Sequence, residues 1–260
     1  MSNIGWPTPV ELTCAAGRMP ALWRAPAIGR DNACNLLFVP PFAEEMNRTR
    51  RLMSLVGQGL ASRGVGSLLP DLPGTGDSDG AFADAGWPEW RDAVACAATH
   101  LAGQGAPVLL MGFRLGCLLA LDALATGLAV RSAILVAPVD SGRQHLRHWL
   151  RVRAAASLES GQRVSVGDLQ KRLEQGETVE CAGYELSPAL AAAIAHLDYG
   201  PLLAATTVPV VRVEVGTAPD GVHTAPGRRH VAAPAPWLLA EPGEPSLLAD
   251  TLTEIVLEVA

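Results

Sequence analysis

Residues Ala106 to Leu124 read APVLLMGFRLGCLLALDAL. Ala106 to Met111 is a short apolar run, the pattern of a strand buried on both faces of a parallel sheet. Leu115 to Thr126 is apolar all round, the pattern of a buried helix. Gly112, Phe113 and Arg114 alone separate the two, so the chain must turn sharply from strand to helix. Gly112 and Gly116 stand two positions either side of Arg114, where strand and helix approach so closely that a side chain would clash. The apex of such a turn is held in strained, positive-φ geometry, and strain of this kind is kept where the presented residue has a task. Arg114 is that apex. Its guanidinium stays protonated, so it is neither nucleophile nor general base.

Outward from this turn the pattern repeats. NLLFV (Asn35 to Val39) is a buried strand feeding a loop at Pro40 and Pro41, and Thr49 to Arg63 has helical spacing, with Gly64 where the helix should stop. A second strand, within VGSLLPDLPGTGDSDG, runs into a loop of Gly, Pro, Asp and Ser. Trp87 to Ala102 reads as a helix, and Arg131 to Ala137 as a fourth strand. The alternation predicts an α/β fold, mainly a parallel sheet with helices on both faces. Its ligand site should lie beyond the carboxyl ends of the strands, where the loops after Val39, Leu69, Met111 and Ala137 converge. From Ser141 to Gly200 the pattern breaks into a basic amphipathic helix (RQHLRHWLRVRAAASL), a polar helix (VGDLQKRLEQG), the segment TVECAGYEL and an alanine-rich helix after Ser187 and Pro188. This stretch reads as a helical cap. The expected organisation is a core of residues 1–140 and 201–260 and a cap of residues 141–200. VPVVRVEV (Val208 to Val215), RRHVAA and a helix from Pro245 to Glu258 complete the core.

The 260 residues carry 20 basic and 26 acidic side chains, a formal net charge of -6, and are 49% hydrophobic. The apolar content excludes disorder, and the acidic balance without a basic run argues against nucleic-acid partners. Lys171 is the one lysine among the basic residues, a skew that reflects genome composition. MSNIGWPTPVELTC lacks the features of a secretory signal, so the mature chain is expected to start there, and no apolar run is long enough for a transmembrane segment. Cys14, Cys34, Cys96, Cys117 and Cys181 show neither close pairing nor metal-ligand spacing with the histidines. Free thiols, a cytoplasmic location and no metal or cofactor are expected.

The Ala106 to Leu124 segment resembles the nucleophile elbow of α/β hydrolases, G-x-S-x-G, with Arg114 in the serine's place. DLPGTGDSDG (Asp71 to Gly80) has the form of the D-x-x-G-x-G-x-S loop that follows the preceding strand in many of them. Asp220 stands about where the triad acid belongs. The loop after the last strand, PAPWLLAEPGEP, holds no histidine, and His223 and His230 would need an unusual path to reach the elbow.

Across most of its length the chain also resembles the second type of hydrolase associated with the exosortase A system of Gram-negative bacteria. The resemblance rests on PPFAEEMNRTRR (Pro40 to Arg51), LLPDLPGTGDSDG, GFRLGCLLA (Gly112 to Ala120), PVDSGRQHL (Pro138 to Leu146) and LEQGETVECAGYELSPALAAAI. Members commonly carry arginine at the apex. One departure is Pro40, where the family tends to carry histidine. The resemblance implies an α/β-hydrolase fold and exopolysaccharide genes as company.

Two roles for Arg114 stay open. In one, Arg114, the first N–H groups of its helix and backbone N–H groups near Phe42 and Leu115 bind a carboxylate, phosphate or oxyanion, with Glu44 or Glu45 as base. In the other, Glu44 or Glu45 pairs with Arg114 and locks the loop. Cys117 is the nucleophile-type residue nearest the apex, with burial as its plain reading. Asp77 and Ser78 should make turn hydrogen bonds, and His145 and His148 should lie on a solvated face with Arg143, Arg147 and Arg151. A small-molecule, glycan or lipid-linked ligand is compatible with that basic face. The functional expectation is hydrolysis of an ester, thioester or related acyl bond at a site rebuilt around Arg114. The alternative is a non-catalytic pseudo-hydrolase that binds an anionic ligand or a partner.

Overall fold

The computed structural model describes residues 6–27, 34–159, 163–216, 227–239 and 243–260. Eight strands form one sheet: β1 (Thr8–Cys14), β2 (Gly17–Arg24), β3 (Asn35–Val39), β4 (Gly66–Pro70), β5 (Val108–Phe113), β6 (Ser132–Val136), β9 (Val210–Val215) and β10 (Arg228–Val231). Their spatial order is β1-β2-β4-β3-β5-β6-β9-β10. The β1–β2 hairpin is antiparallel and pairs antiparallel with β4, while β4 to β10 are parallel.

The apolar strands alternate between two cores. Leu36, Phe38, Leu109, Met111, Ile134 and Val136 share a core with Leu52, Val56 and Leu60 of α1 (Glu44–Ser62) and with Leu252 and Val256 of α8 (Ser246–Val259). Leu37, Val39, Leu110 and Leu135 belong to the other, with Val94, Ala97 and Leu101 of α2 (Trp87–Ala102) and Leu118 and Leu121 of α3 (Leu115–Ala125). Burying both faces of the central strands explains why they read as continuous apolar runs. The sequence reading of an α/β sheet covered on both faces matches this architecture.

Between β6 and β9 lie α4 (Gly142–Glu159), α5 (Val166–Glu174), the hairpin β7 (Val179–Cys181) and β8 (Tyr184–Leu186), α6 (Pro188–Ala195) and α7 (Tyr199–Ala204). Ser165 and Asp168 form a reciprocal capping box on α5, and the Ser187 hydroxyl accepts from the Leu190 N–H at the start of α6. Each satisfies an N–H that a helix start leaves open.

Three expectations need correction. The N-terminal hairpin was not foreseen: β1 and β2 are only partly buried, without a continuous apolar run. Cys14 and Cys96 are not free thiols. They form a disulfide between β1 and α2, with Cα atoms 6.1 Å apart, joining residues 82 positions apart that only the packing of the unforeseen strand brings together. The free-thiol argument for a reducing compartment therefore loses this pair. Cys117 and Cys181 are free thiols, and both are buried, as is Cys34. The first turn of α1 also begins earlier than the apolar spacing suggests, so Glu44 and Glu45 are helical rather than in a loop. Among the described residues no helix is long and apolar enough to cross a membrane.

Candidate functional site

The turn from β5 into α3 has the geometry its sequence demands. Arg114 caps α3 with φ 54° and ψ -119°. A Cβ on Gly112 would lie 2.9 Å from the Cys117 Cα, and one on Gly116 would run into the carbonyl oxygens of Pro40 and Val39. Both glycines are thus fixed by contact with backbone. Ala43, after β3, repeats the apex conformation with φ 49° and ψ -127°, and α1 starts directly from it. Ala137, after β6, also has positive φ at 46°.

Arg114 ties these three strand ends together. Its Nε donates to Glu45 Oε1 at 3.3 Å, and its Nη1 donates to the Ala137 carbonyl at 3.0 Å. Its guanidinium carbon lies 5.6 Å from the centroid of the Trp237 ring, a cation–π contact. The Arg114 and Glu45 side chains are 19% and 15% exposed, so the pair is largely shielded from solvent. Glu44, one position along the helix, turns about 100° away and pairs instead with Arg48 at 3.2 Å. Trp237 occupies the loop after the last strand, where a triad histidine would come in chain order. Arg48 Nη1 donates to the Trp237 carbonyl at 3.4 Å and holds this segment against α1.

The remaining sequence candidates fall as follows. Cys117 is fully buried, its thiol directed to the Val136 carbonyl at 3.5 Å, and burial pushes its pKa far up. A thiol in that state supplies no thiolate. Phe42 and Leu115 are buried beside the elbow. Ser78 Oγ donates to the carbonyls of Leu72 and Thr75, and the Asp77 N–H donates to Asp71, so the Asp71 to Gly80 loop is knit by turn hydrogen bonds. Asp220 and His223 lie outside the described residues. His230 is part of β10. Among the described residues no cluster of His, Cys, Asp and Glu could hold a metal.

A cavity of about 430 Å³ opens beside the pair, lined by Phe42, Glu45, Arg48, His145, Trp149 and Trp237 among others. His145 departs from the solvated face expected of it. It is buried, with its ring 6.1 Å from that of Phe42, which also meets Trp149 at 5.4 Å. The signal was present in the sequence: His145 and Trp149 are one helical turn apart, beside Leu146 and Leu150, on the apolar stripe of RQHLRHWLRV. Arg143, Arg147 and Arg151 take the exposed side.

Burial sets the protonation of both cavity groups. It raises Glu45 above the ordinary carboxylate range, against the pull of Arg114 and Arg48. It lowers His145 to about 3, assisted by the charges of Arg114 and His148. The fold therefore favours neutral His145, and the unfolded chain takes up this proton first as pH falls. The stability from this group is complete above about 6.5 and is lost toward pH 3. One such group gives a slope of up to about 1.4 kcal/mol per pH unit. His145→Phe is expected to flatten that part of the profile in urea unfolding at stepped pH. An unchanged slope would place the acid sensitivity elsewhere.

The architecture and elbow are those of the α/β-hydrolase fold. The structure is similar to that of Est1E from Butyrivibrio proteoclasticus with ferulic acid bound, at 15% identity over 96% of this chain and 98% of that one, with a TM-score of 0.69. It is similar to a thermophilic esterase from Thermogutta terrifontis with malate bound, at 18% identity over 97% and 99% of the two chains and a TM-score of 0.60. The α/β hydrolase GrgF from Penicillium sp. sh18 is similar over 80% of this chain and 78% of its own, at 20% identity and a TM-score of 0.52. At these identities the likeness defines the fold alone. No protein-family model matches the chain, and no curated protein matches it.

Proposed function

We propose that this protein is a hydrolase-fold binding protein that holds a ligand in the cleft beside the elbow without cleaving it. One observation carries the reading: the elbow apex is a guanidinium held by Glu45, the Ala137 carbonyl and the face of Trp237. An arginine so engaged offers no nucleophile, and the nearest thiol, Cys117, is buried and protonated. Residues 141–200 act as the cap over a core of residues 1–140 and 201–260, a reading supported by α4 and α1 both lining the cleft. The resemblance to the exosortase A-associated family supports a role in the exosortase and exopolysaccharide system. Arg114 then anchors the cleft instead of binding an anion, because its charge is already matched.

A second reading, acyl-bond hydrolysis with Glu45 as base, is favoured by the raised pKa of Glu45 and by its second oxygen, which has no hydrogen-bond partner. Turnover separates the two. The native protein is incubated with acyl thioesters and esters, and the released thiol or alcohol is followed. The binding reading expects no release above buffer. Saturable release that disappears in Glu45→Gln would establish the hydrolytic reading instead, with Glu45 taking the proton of the attacking water.

A further inference from the structure

α4 presents a row of arginines that the fold itself does not use. Arg143, Arg147 and Arg151 are exposed and stand four positions apart, so they form one stripe about 12 Å long on the helix. Among the described residues none of the three has an acidic partner within ion-pair distance, whereas Arg153, on the more buried side, is matched by Glu180 at 3.9 Å. Like charges four apart repel along a helix, so the stripe costs stability and receives nothing back within the chain. The chain as a whole carries a formal net charge of -6, which makes this a local concentration of positive charge on an acidic protein.

Apolar surface lies beside the stripe. Val152 follows Arg151 on the exposed side of α4 and is 50% exposed, and it shares the lining of the cleft with Leu238, which is 64% exposed. Leu239, next in the chain, lines a second hollow with Leu247, which is 63% exposed. Large apolar side chains grouped in this way mark a surface that meets something other than water. A soluble polyanion would engage the arginines alone. The exposed arc of α4 from Arg143 to Ala156 carries no carboxylate, which suits a surface of uniform negative charge better than the mixed charges of a protein partner. Unpaired cations next to exposed apolar side chains are the composition of a face that lies on a membrane.

We propose that this face docks on an anionic lipid bilayer, with the arginines against the headgroups and Val152, Leu238, Leu239 and Leu247 in the interfacial layer. The cleft gives the docking a use. Its lining includes Val152 and Leu238, so it opens on the same face and toward the bilayer. The inference does not depend on whether the cleft binds or cleaves what it holds. It describes a protein resting on the surface, since among the described residues no helix is long and apolar enough to cross.

The test floats the full chain with vesicles of phosphatidylglycerol and phosphatidylcholine in equal parts, beside vesicles of phosphatidylcholine alone and soluble dextran sulfate. The expected result is saturable binding to the mixed vesicles that weakens as salt rises, with phosphatidylcholine alone at least about tenfold weaker. Each arginine near an anionic surface is worth about fivefold in affinity, so Arg143→Gln, Arg147→Gln and Arg151→Gln together are expected to weaken binding about a hundredfold. Arg143→Lys, Arg147→Lys and Arg151→Lys together are expected to keep it. Leu238→Ser with Leu247→Ser is expected to weaken it about tenfold at constant charge. All five positions are exposed, so the fold is expected to survive in each variant, and the native protein's own binding decides the matter even if one is lost. No binding to the mixed vesicles, equal binding to both vesicles, or affinity unchanged in the glutamine variant would overturn the proposal. Dextran sulfate bound as tightly as the vesicles, with the leucine variant unimpaired, would assign the stripe to a soluble polyanion and overturn it as well.

Discussion

Glu45→Leu is expected to lower the unfolding free energy by about 2–3 kcal/mol, because it leaves the Arg114 guanidinium without its carboxylate at a site only 19% exposed. The figure sits below the range for fully buried pairs because some solvent reaches this one. Removing both partners, in Glu45→Leu with Arg114→Met, is expected to restore stability to the native level or above. The raised pKa of Glu45 gives the reason: the cost of burying the carboxylate exceeds what Arg114 returns. An apolar pair of similar volume avoids that cost. The four-variant cycle, measured by urea unfolding, should give a coupling of about 2 kcal/mol. Additive losses would show that the pair does not act as a unit. The pH dependence has a definite sign. The fold favours protonated Glu45, so this group's contribution is complete below the ordinary carboxylate range and is lost as pH rises through its raised value. Glu45→Gln removes that dependence.

Gly116→Ala is expected to be more damaging than Gly112→Ala, costing about 3 kcal/mol or more. The added carbon meets the carbonyl oxygens of Pro40 and Val39, backbone atoms of a central strand and its exit turn that no rotamer change can move. Gly112→Ala meets the Cys117 Cα and the Gly116 oxygen, both at 2.9 Å, and should cost less. Thermal unfolding orders the two. A Gly116→Ala protein with a native midpoint would mean that α3 can retreat from β3, and that the elbow is looser than these contacts require.

How far the sequence could be read depended on which residues carry a local signal. The β5–α3 turn was legible because its apolar runs and paired glycines are contiguous and each has one physical reading. The central strands were legible for the same reason: burial on both faces removes the alternation that could be mistaken for something else. β1 and β2 were not, since partly exposed strands without a continuous apolar run look like polar coil. The Cys14–Cys96 bond was hidden with them. At the site, sequence could nominate Glu44 and Glu45 equally. Only the start of α1 at Ala43 decides that Glu45 turns inward. Trp237 was hardest to foresee, because attention to a missing histidine says nothing about what fills its place. His145 lay on a readable apolar stripe, outweighed in the reading by the arginines around it.

The central claim is that Arg114 closes the elbow to hydrolysis, and initial rates test it most directly. The native protein and Arg114→Ala are assayed on short and long p-nitrophenyl esters and on acyl thioesters, against buffer alone. The expected result is no rate above buffer for the native protein on any substrate. Saturable native turnover that Arg114→Ala abolishes would contradict the claim and make Arg114 part of a working catalytic site.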